Sequence, residues 1–233
     1  MAKLVVALDF PTVDLALNLV DKLGSAVDFY KIGLELLMTG DYFSLLSALE
    51  KRQKKIFADL KLYDIPQTVG KAVANLTNYN IDLLTIHTAS TEIMLSASQH
   101  KKHIKIIGVT VLTSLDKQNL LEMGFDSQLS VENLVCQKTK LALACGLDGV
   151  VASALEALTL RKNFGNNFAI ITPGIRLANN ENADQKRVAT VDFAVKNGSS
   201  HLVIGRPITA SLNPIAVVEN IHKIIYETHP TLS

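Results

Sequence analysis

Cysteine is scarce in this chain of 233 residues: Cys136 and Cys145 are the two it has. They lie in what reads as one apolar helix, separated by about 13 Å of rise, too far for a disulfide. No Cys-x-x-Cys pair occurs, which removes the usual zinc and thiol-redox motifs, and both thiols are expected in the core. Long apolar runs are missing as well, since none approaches the roughly 18 residues of a membrane span. The apolar stretch before Asp9 is too short for the core of a secretory signal, so a cytoplasmic protein is expected. Charge of one sign is also lacking. Lys and Arg number 23 and Asp and Glu 22, a formal net charge of +1. Such a chain has no bulk field for nucleic acid or an anionic membrane, and any strong charge must be local. There is no Gly-x-Gly-x-x-Gly, hence no dinucleotide fingerprint. The histidines form no metal-ligand spacing, and Asp9 with Asp59 is the one carboxylate pair that could share an ion; no metal and no cofactor are expected.

What the sequence does have is a repeating alternation. Short runs, apolar throughout as strands buried on both faces are, fall at 4–8, 27–31, 55–59, 83–86, 104–109, 149–151, 168–171 and 202–204. Between them lie stretches with helical spacing, such as Val13, Leu17, Val20 and Leu23, or Val217, Ile221 and Ile224. Eight strands alternating with helices imply a parallel sheet with crossovers. In a chain close to the roughly 250 residues typical of the type, they predict an α/β fold, a single-domain (β/α)8 TIM barrel over residues 1–233. An open doubly wound sheet is the alternative. No linker-like segment interrupts the chain. The longest interval between strands holds a polar stretch, 113–130, long enough to be an active-site loop.

Chemistry in such barrels sits at the carboxyl ends of the strands. Those ends carry Asp9, Lys31, Asp59 with Lys61 and Asp64, His87, Thr110 with Thr113 and Ser114, Arg176, and Arg206. Strand alternation puts Asp59 and Lys61 on one face, and Lys31 on the neighbouring strand should point the same way. Two carboxylates, Asp59 and Asp64, and two ammoniums would share one small space. A structural ion-pair network would read the same, but buried charge is costly, and a catalytic rim is where it concentrates. Gly205-Arg206 after the eighth strand, beside Thr172-Pro173-Gly174-Ile175-Arg176, suits a phosphate: glycine admits backbone N–H groups and arginine supplies a bidentate fork. His87 alone reads as a hydrogen-bonded structural residue, and 51–55 as a solvated helix end.

These residues, in order from Ala7-Leu8-Asp9 through Lys31-Ile32-Gly33, Asp59-Leu60-Lys61-Leu62-Tyr63-Asp64-Ile65-Pro66-Gln67-Thr68, Thr113-Ser114, Arg176, Asp184-Gln185 and Gly205-Arg206-Pro207, resemble the orotidine 5′-phosphate decarboxylase family of the bacterial type. One departure is His87-Thr88-Ala89-Ser90-Thr91, where the family usually has small residues with a glycine pair. The resemblance implies a cofactor-independent conversion of orotidine 5′-phosphate to uridine 5′-phosphate and carbon dioxide. It implies a catalytic set of Lys31, Asp59, Lys61 and Asp64, with Lys61 the proton donor, Asp59 beside the substrate carboxylate, and Asp9 and Lys31 on the ribose. Ile65 belongs to the substrate site. Asp64 and Thr68 would reach into the other subunit of a homodimer. Thr113 and Ser114 would hold the pyrimidine, and Arg176, Gln185, Gly205 and Arg206 would bind or close over the phosphate, with 176–185 as the closing loop. Neither nucleic acid nor membrane is implied. The alternatives are a metal-dependent sugar-phosphate lyase or epimerase of a related barrel family, and a non-catalytic nucleotide-binding barrel.

Overall fold

The computed structural model describes residues 1–177 and 187–228. Eight parallel strands close into a barrel: β1 Lys3–Ala7, β2 Phe29–Gly33, β3 Lys55–Leu62, β4 Leu83–His87, β5 Lys105–Val109, β6 Gly149–Val151, β7 Ala169–Thr172 and β8 His201–Ile204. Each pairs with the next, and β8 returns to β1 in the register Lys3↔His201 to Val6↔Ile204. The expected closed barrel is thus the observed one. Helices begin on the caps that the sequence places after the strands. Thr12, Ser90 and Ser130 each accept a backbone N–H at Val13–Leu23, Thr91–His100 and Val131–Ala144, which satisfies a donor the helix leaves orphaned. The last helix, Pro214–Thr228, starts on proline, with Asn213 accepting from the Ala216 N–H at 3.3 Å.

Most strands fall within one residue of the sequence-based expectation at each end, and two depart from it further. The apolar pattern predicts β2 over 27–31, and it spans Phe29–Gly33; it predicts that β3 stops at Asp59, and β3 continues to Leu62. In both, the expected run ends on a charge, Lys31 or Asp59, but Lys31, Asp59 and Lys61 are inward positions lining the barrel mouth, and the strands run on past Lys31 and Asp59. The polar stretch at 113–130 is not one loop; it contains a short helix, Lys117–Glu122, closed by a capping box between Asp116 and Asn119.

The barrel interior is plugged. Val5, Phe57, Ile107 and Ile171, from alternate strands, are almost wholly buried in one cluster with Ala7, Phe29, Leu83 and Val203. This plug separates the carboxyl end of the barrel from its amino end. At the amino end His201 stacks edge-on to Phe29. Burial lowers the pKa of this imidazole to about 4, with Lys3, Lys105 and Lys55 adding to the effect. A base whose pKa is depressed on folding contributes stability that is complete above its unfolded value, near 6.5, and lost as pH falls toward the folded value. Between pH 7 and pH 5 the chain should therefore lose on the order of 2 kcal/mol that a His201→Phe variant does not. Urea unfolding of both at the two pH values measures it; parallel losses would contradict it.

Candidate active site

At the opposite end the strand termini surround a cavity of about 280 Å³ whose lining includes Asp9, Lys31, Asp59, Lys61, Thr113, Ser114, Arg176, Gly205 and Arg206. These come from β1, β2, β3 and the segments after β5, β7 and β8, so the fold brings together residues nearly 200 positions apart. Four cationic side chains face two carboxylates, which makes the cavity a site for an anion.

Its centre is Asp59, whose side chain is 13% exposed. Lys61 Nζ donates to Asp59 Oδ2 at 2.8 Å, and Lys31 Nζ stands 3.7 Å from the same oxygen and 2.8 Å from Asp9 Oδ1. The lysine and aspartate of β3 meet as expected, but not by simple alternation. The β3–β4 register shifts between Ala58 and Leu62, and Lys61 adopts φ +47. This left-handed conformation costs a residue bearing a Cβ roughly 1–2 kcal/mol. The Lys61 N–H has no strand partner at this bulge and donates to Thr85 Oγ1 at 2.9 Å, and the Thr85 hydroxyl donates to Asp59 Oδ1 at 2.9 Å. Gly33, beside Lys31, is a close approach: a Cβ there would lie 3.4 Å from Lys31 Nζ. Burial alone would raise the Asp59 carboxyl. The Lys61 and Lys31 charges, with hydrogen bonds from Lys61 and Thr85, outweigh burial and hold it below the ordinary carboxylate value.

The second carboxylate of the array within one chain is Asp9, not Asp64. Asp64 lies past the end of β3, exposed, its Oδ1 accepting from the adjacent Ile65 N–H at 2.6 Å. Neither it nor Ile65 nor Thr68 lines the cavity of its own chain. Bulging carries β3 outward past Lys61, and Pro66 then opens a helix on the rim. Asp9 and Asp59, the one carboxylate pair that could have shared an ion, are bridged instead by the Lys31 ammonium. Among the described residues no group of three or more His, Cys, Asp and Glu could hold a metal.

On the far side Gly174, at φ +74, turns the chain after β7 so that Arg176 enters the cavity on a two-residue ladder, Ile175–Arg176 with Ala189–Thr190. Its Nη2 is buried and has no hydrogen-bond partner among the described residues, a donor available to a bound anion. Arg206 begins the short helix after β8. Gln185, and 178–185 of the expected closing loop, lie outside the described residues.

His87 does not line the cavity. Burial, then the Lys138 and Lys61 charges, lower its pKa, so it is neutral near pH 7. The departure at Thr88 is accommodated: Lys138 Nζ donates to Thr88 O at 3.0 Å and Thr88 Oγ1 to Val109 O at 2.7 Å. Sequence reasoning missed the roles of Arg187 and Thr85. Arg187 pairs with buried Glu156 and donates to the carbonyls of Val111 and Leu112, next to Thr113 and Ser114. Its place two residues after Gln185 was a signal for it; Thr85 had none beyond a polar atom in an apolar strand.

Comparison with known proteins gives the family of the chain as a whole. The profile of the family described as "Orotidine 5'-phosphate decarboxylase / HUMPS family" matches residues 2–221. The orotidine 5′-phosphate decarboxylase of Methylococcus capsulatus is 46% identical over 213 residues, covering 91% of this chain and 87% of that protein. The one from Nitrobacter winogradskyi is 46% identical over 222 residues, covering 94% and 90%. The crystal structure of the Lactobacillus acidophilus orotidine 5′-phosphate decarboxylase superposes with a TM-score of 0.85 at 32% identity, over 97% of this chain and 99% of that one. A bulged Asp-Leu-Lys strand, a ring of cations at the barrel mouth and this likeness along nearly the whole length agree: the chain belongs to the orotidine 5′-phosphate decarboxylase / HUMPS family.

Proposed function

We propose that the chain decarboxylates orotidine 5′-phosphate to uridine 5′-phosphate, the UMP-forming step of pyrimidine biosynthesis, and that Lys61 and Asp59 carry the reaction. The observation that bears the reading is the Lys61 ammonium held 2.8 Å from Asp59 above a sealed barrel floor, facing two arginines across one cavity. The relatives at 46% identity carry the name of this activity.

The chemistry needs such an array. When the bond from C6 to the carboxylate breaks, its electron pair stays on C6 in an orbital the ring cannot delocalise well. A fixed ammonium stabilises that charge without reorganising. Lys61 then gives a proton to C6, and carbon dioxide leaves. Asp59, kept ionised by Lys31 and Lys61, would stand beside the substrate carboxylate and destabilise the bound ground state. Asp9 and Lys31 would take the ribose hydroxyls, and Thr113 and Ser114 the pyrimidine edge. Arg176, Gly205 and Arg206, with Gln185, would take the phosphate, whose remote binding energy is then available to the chemical step.

A second subunit completes this picture. Asp64, outside its own cavity, would enter the partner's, with Thr68. Supporting this, Leu34, Met38, Tyr63 and Ile65 leave large apolar surfaces exposed just past the ends of β2 and β3. The enzyme would be a cytoplasmic homodimer. Among the described residues no helix is long and apolar enough to cross a membrane.

Incubation with orotidine 5′-phosphate should yield uridine 5′-phosphate and carbon dioxide one for one; tight binding without turnover would favour the nucleotide-binding barrel instead. Arg206→Ala should weaken 5′-phosphorylated ligands roughly 100-fold while changing affinity for the unphosphorylated nucleoside little. Competition titrations with both ligands decide this, and equal losses would put the phosphate elsewhere.

A further inference from the structure

We propose that Thr85 is a positioning residue for the Lys61–Asp59 pair: its hydroxyl holds the left-handed turn that aims Lys61 and fixes the rotation of the Asp59 carboxylate. The inference rests on the decarboxylase reading and deepens it.

Thr85 is wholly buried in β4, on the inward row with Leu83 and His87 and beneath the cavity. The strand pairing is Ala58↔Leu84 and Leu62↔Ile86, so three residues of β3, Asp59 to Lys61, stand opposite Thr85 alone. A bulge of this size strips the Lys61 N–H of a ladder carbonyl. The Thr85 oxygen takes that carbonyl's place, accepting from Lys61 N–H at 2.9 Å. Since its oxygen is the acceptor there, the single hydroxyl proton goes the other way, to Asp59 Oδ1 at 2.9 Å. Asp59 Oδ2 is thereby left to Lys61 Nζ at 2.8 Å. The hydrogen bonds close a ring that grips Lys61 at both its backbone and its ammonium, with Thr85 and Asp59 as the links. Remove the hydroxyl, and a buried N–H loses its acceptor while a buried carboxylate loses a donor. Both losses fall on the two groups the chemistry uses.

The charged and titratable groups that face Asp59 are Lys61 on its own strand, Lys31 on β2 with Asp9 beyond it, His87 on β4, and Tyr42 on the helix Tyr42–Lys51. None of them replaces the Thr85 donor at Oδ1. Losing that donor raises the Asp59 pKa, so the acid limb of kcat/KM, set by loss of the carboxylate, should move to higher pH.

The test compares Thr85→Val, which keeps the shape, Thr85→Ala, which cannot clash, and Thr85→Ser, which keeps the hydroxyl. We expect kcat for orotidine 5′-phosphate to fall about 10- to 100-fold in the Val and Ala variants with KM changed by less than about threefold, as for loss of a buried hydrogen bond acting mainly in the transition state. The acid limb should shift upward in both, and Ser should restore kcat to within about threefold of wild type. The proposal is overturned if Val and Ala keep wild-type kcat, if their acid limb stays in place, or if Ser is as slow as Val. Wild-type chain that fails to turn over would instead overturn the decarboxylase reading itself, so the two failures are told apart.

Discussion

Lys61→Ala should abolish decarboxylation while leaving the barrel folded. In the proposed mechanism the ammonium both stabilises charge at C6 and supplies the proton. Each of those contributions is worth roughly two to four powers of ten in other enzymes, so a loss of at least about 10⁴-fold in kcat is expected. The fold should survive because the hydrogen bond that anchors the bulge uses the Lys61 backbone N–H, which alanine keeps. Asp59 then loses its nearest cation, and Lys31 at 3.7 Å remains to hold it ionised. Circular dichroism and thermal unfolding establish folding; the fall in substrate absorbance gives the rate. Turnover within tenfold of wild type would remove Lys61 from the mechanism.

A mixture of Lys61→Ala and Asp64→Ala subunits should be active although each variant alone is not. In a two-fold dimer whose sites borrow Asp64 across the interface, a mixed dimer contains one site with both substitutions and one with neither. With random exchange about half the dimers are mixed, so recovery should approach about a quarter of the wild-type rate. Asp64 motivates the experiment: it lies two residues past the end of β3, turned to its neighbour's N–H and away from the cavity that holds Lys61. Tyr63 and Ile65, 69% and 63% exposed on either side of it, are the surfaces a partner would cover. No recovery after proven exchange of subunits would mean that each chain works with its own residues.

The barrel was legible because strands buried on both faces need continuous apolar runs, and eight such runs separated by amphipathic stretches leave few other architectures. Their ends were less so. Lys31 and Asp59 looked like terminators because a charge in an apolar run signals water. In this barrel the inward face near the rim is the site itself, so the strands continue through their charges to Gly33 and Leu62. The cavity's principal charges, Asp9, Lys31, Asp59, Lys61, Arg176 and Arg206, could be picked out from the carboxyl ends of the strands alone. What local pattern could not give is the bulge. Nothing in Asp59-Leu60-Lys61-Leu62 marks Lys61 for a left-handed backbone, with no glycine to suggest one. The hydroxyl that stabilises it sits 24 residues away in Leu83-Leu84-Thr85-Ile86, where a threonine reads as an ordinary strand former. Glu156 and Arg187 escaped for a similar reason: each is ordinary in its own segment, and the two, 31 positions apart, meet only when the barrel closes.

If the Asp59–Lys61 array carries decarboxylation of orotidine 5′-phosphate by itself, the rate should not depend on any added metal. The decisive measurement is the initial rate of absorbance loss of that substrate with purified chain, in the presence and absence of a strong chelator. Rapid loss at the same rate in both is expected. No loss, or a rate that the chelator abolishes and a divalent cation restores, would contradict the array's role and point to the metal-dependent sugar-phosphate chemistry of related barrels.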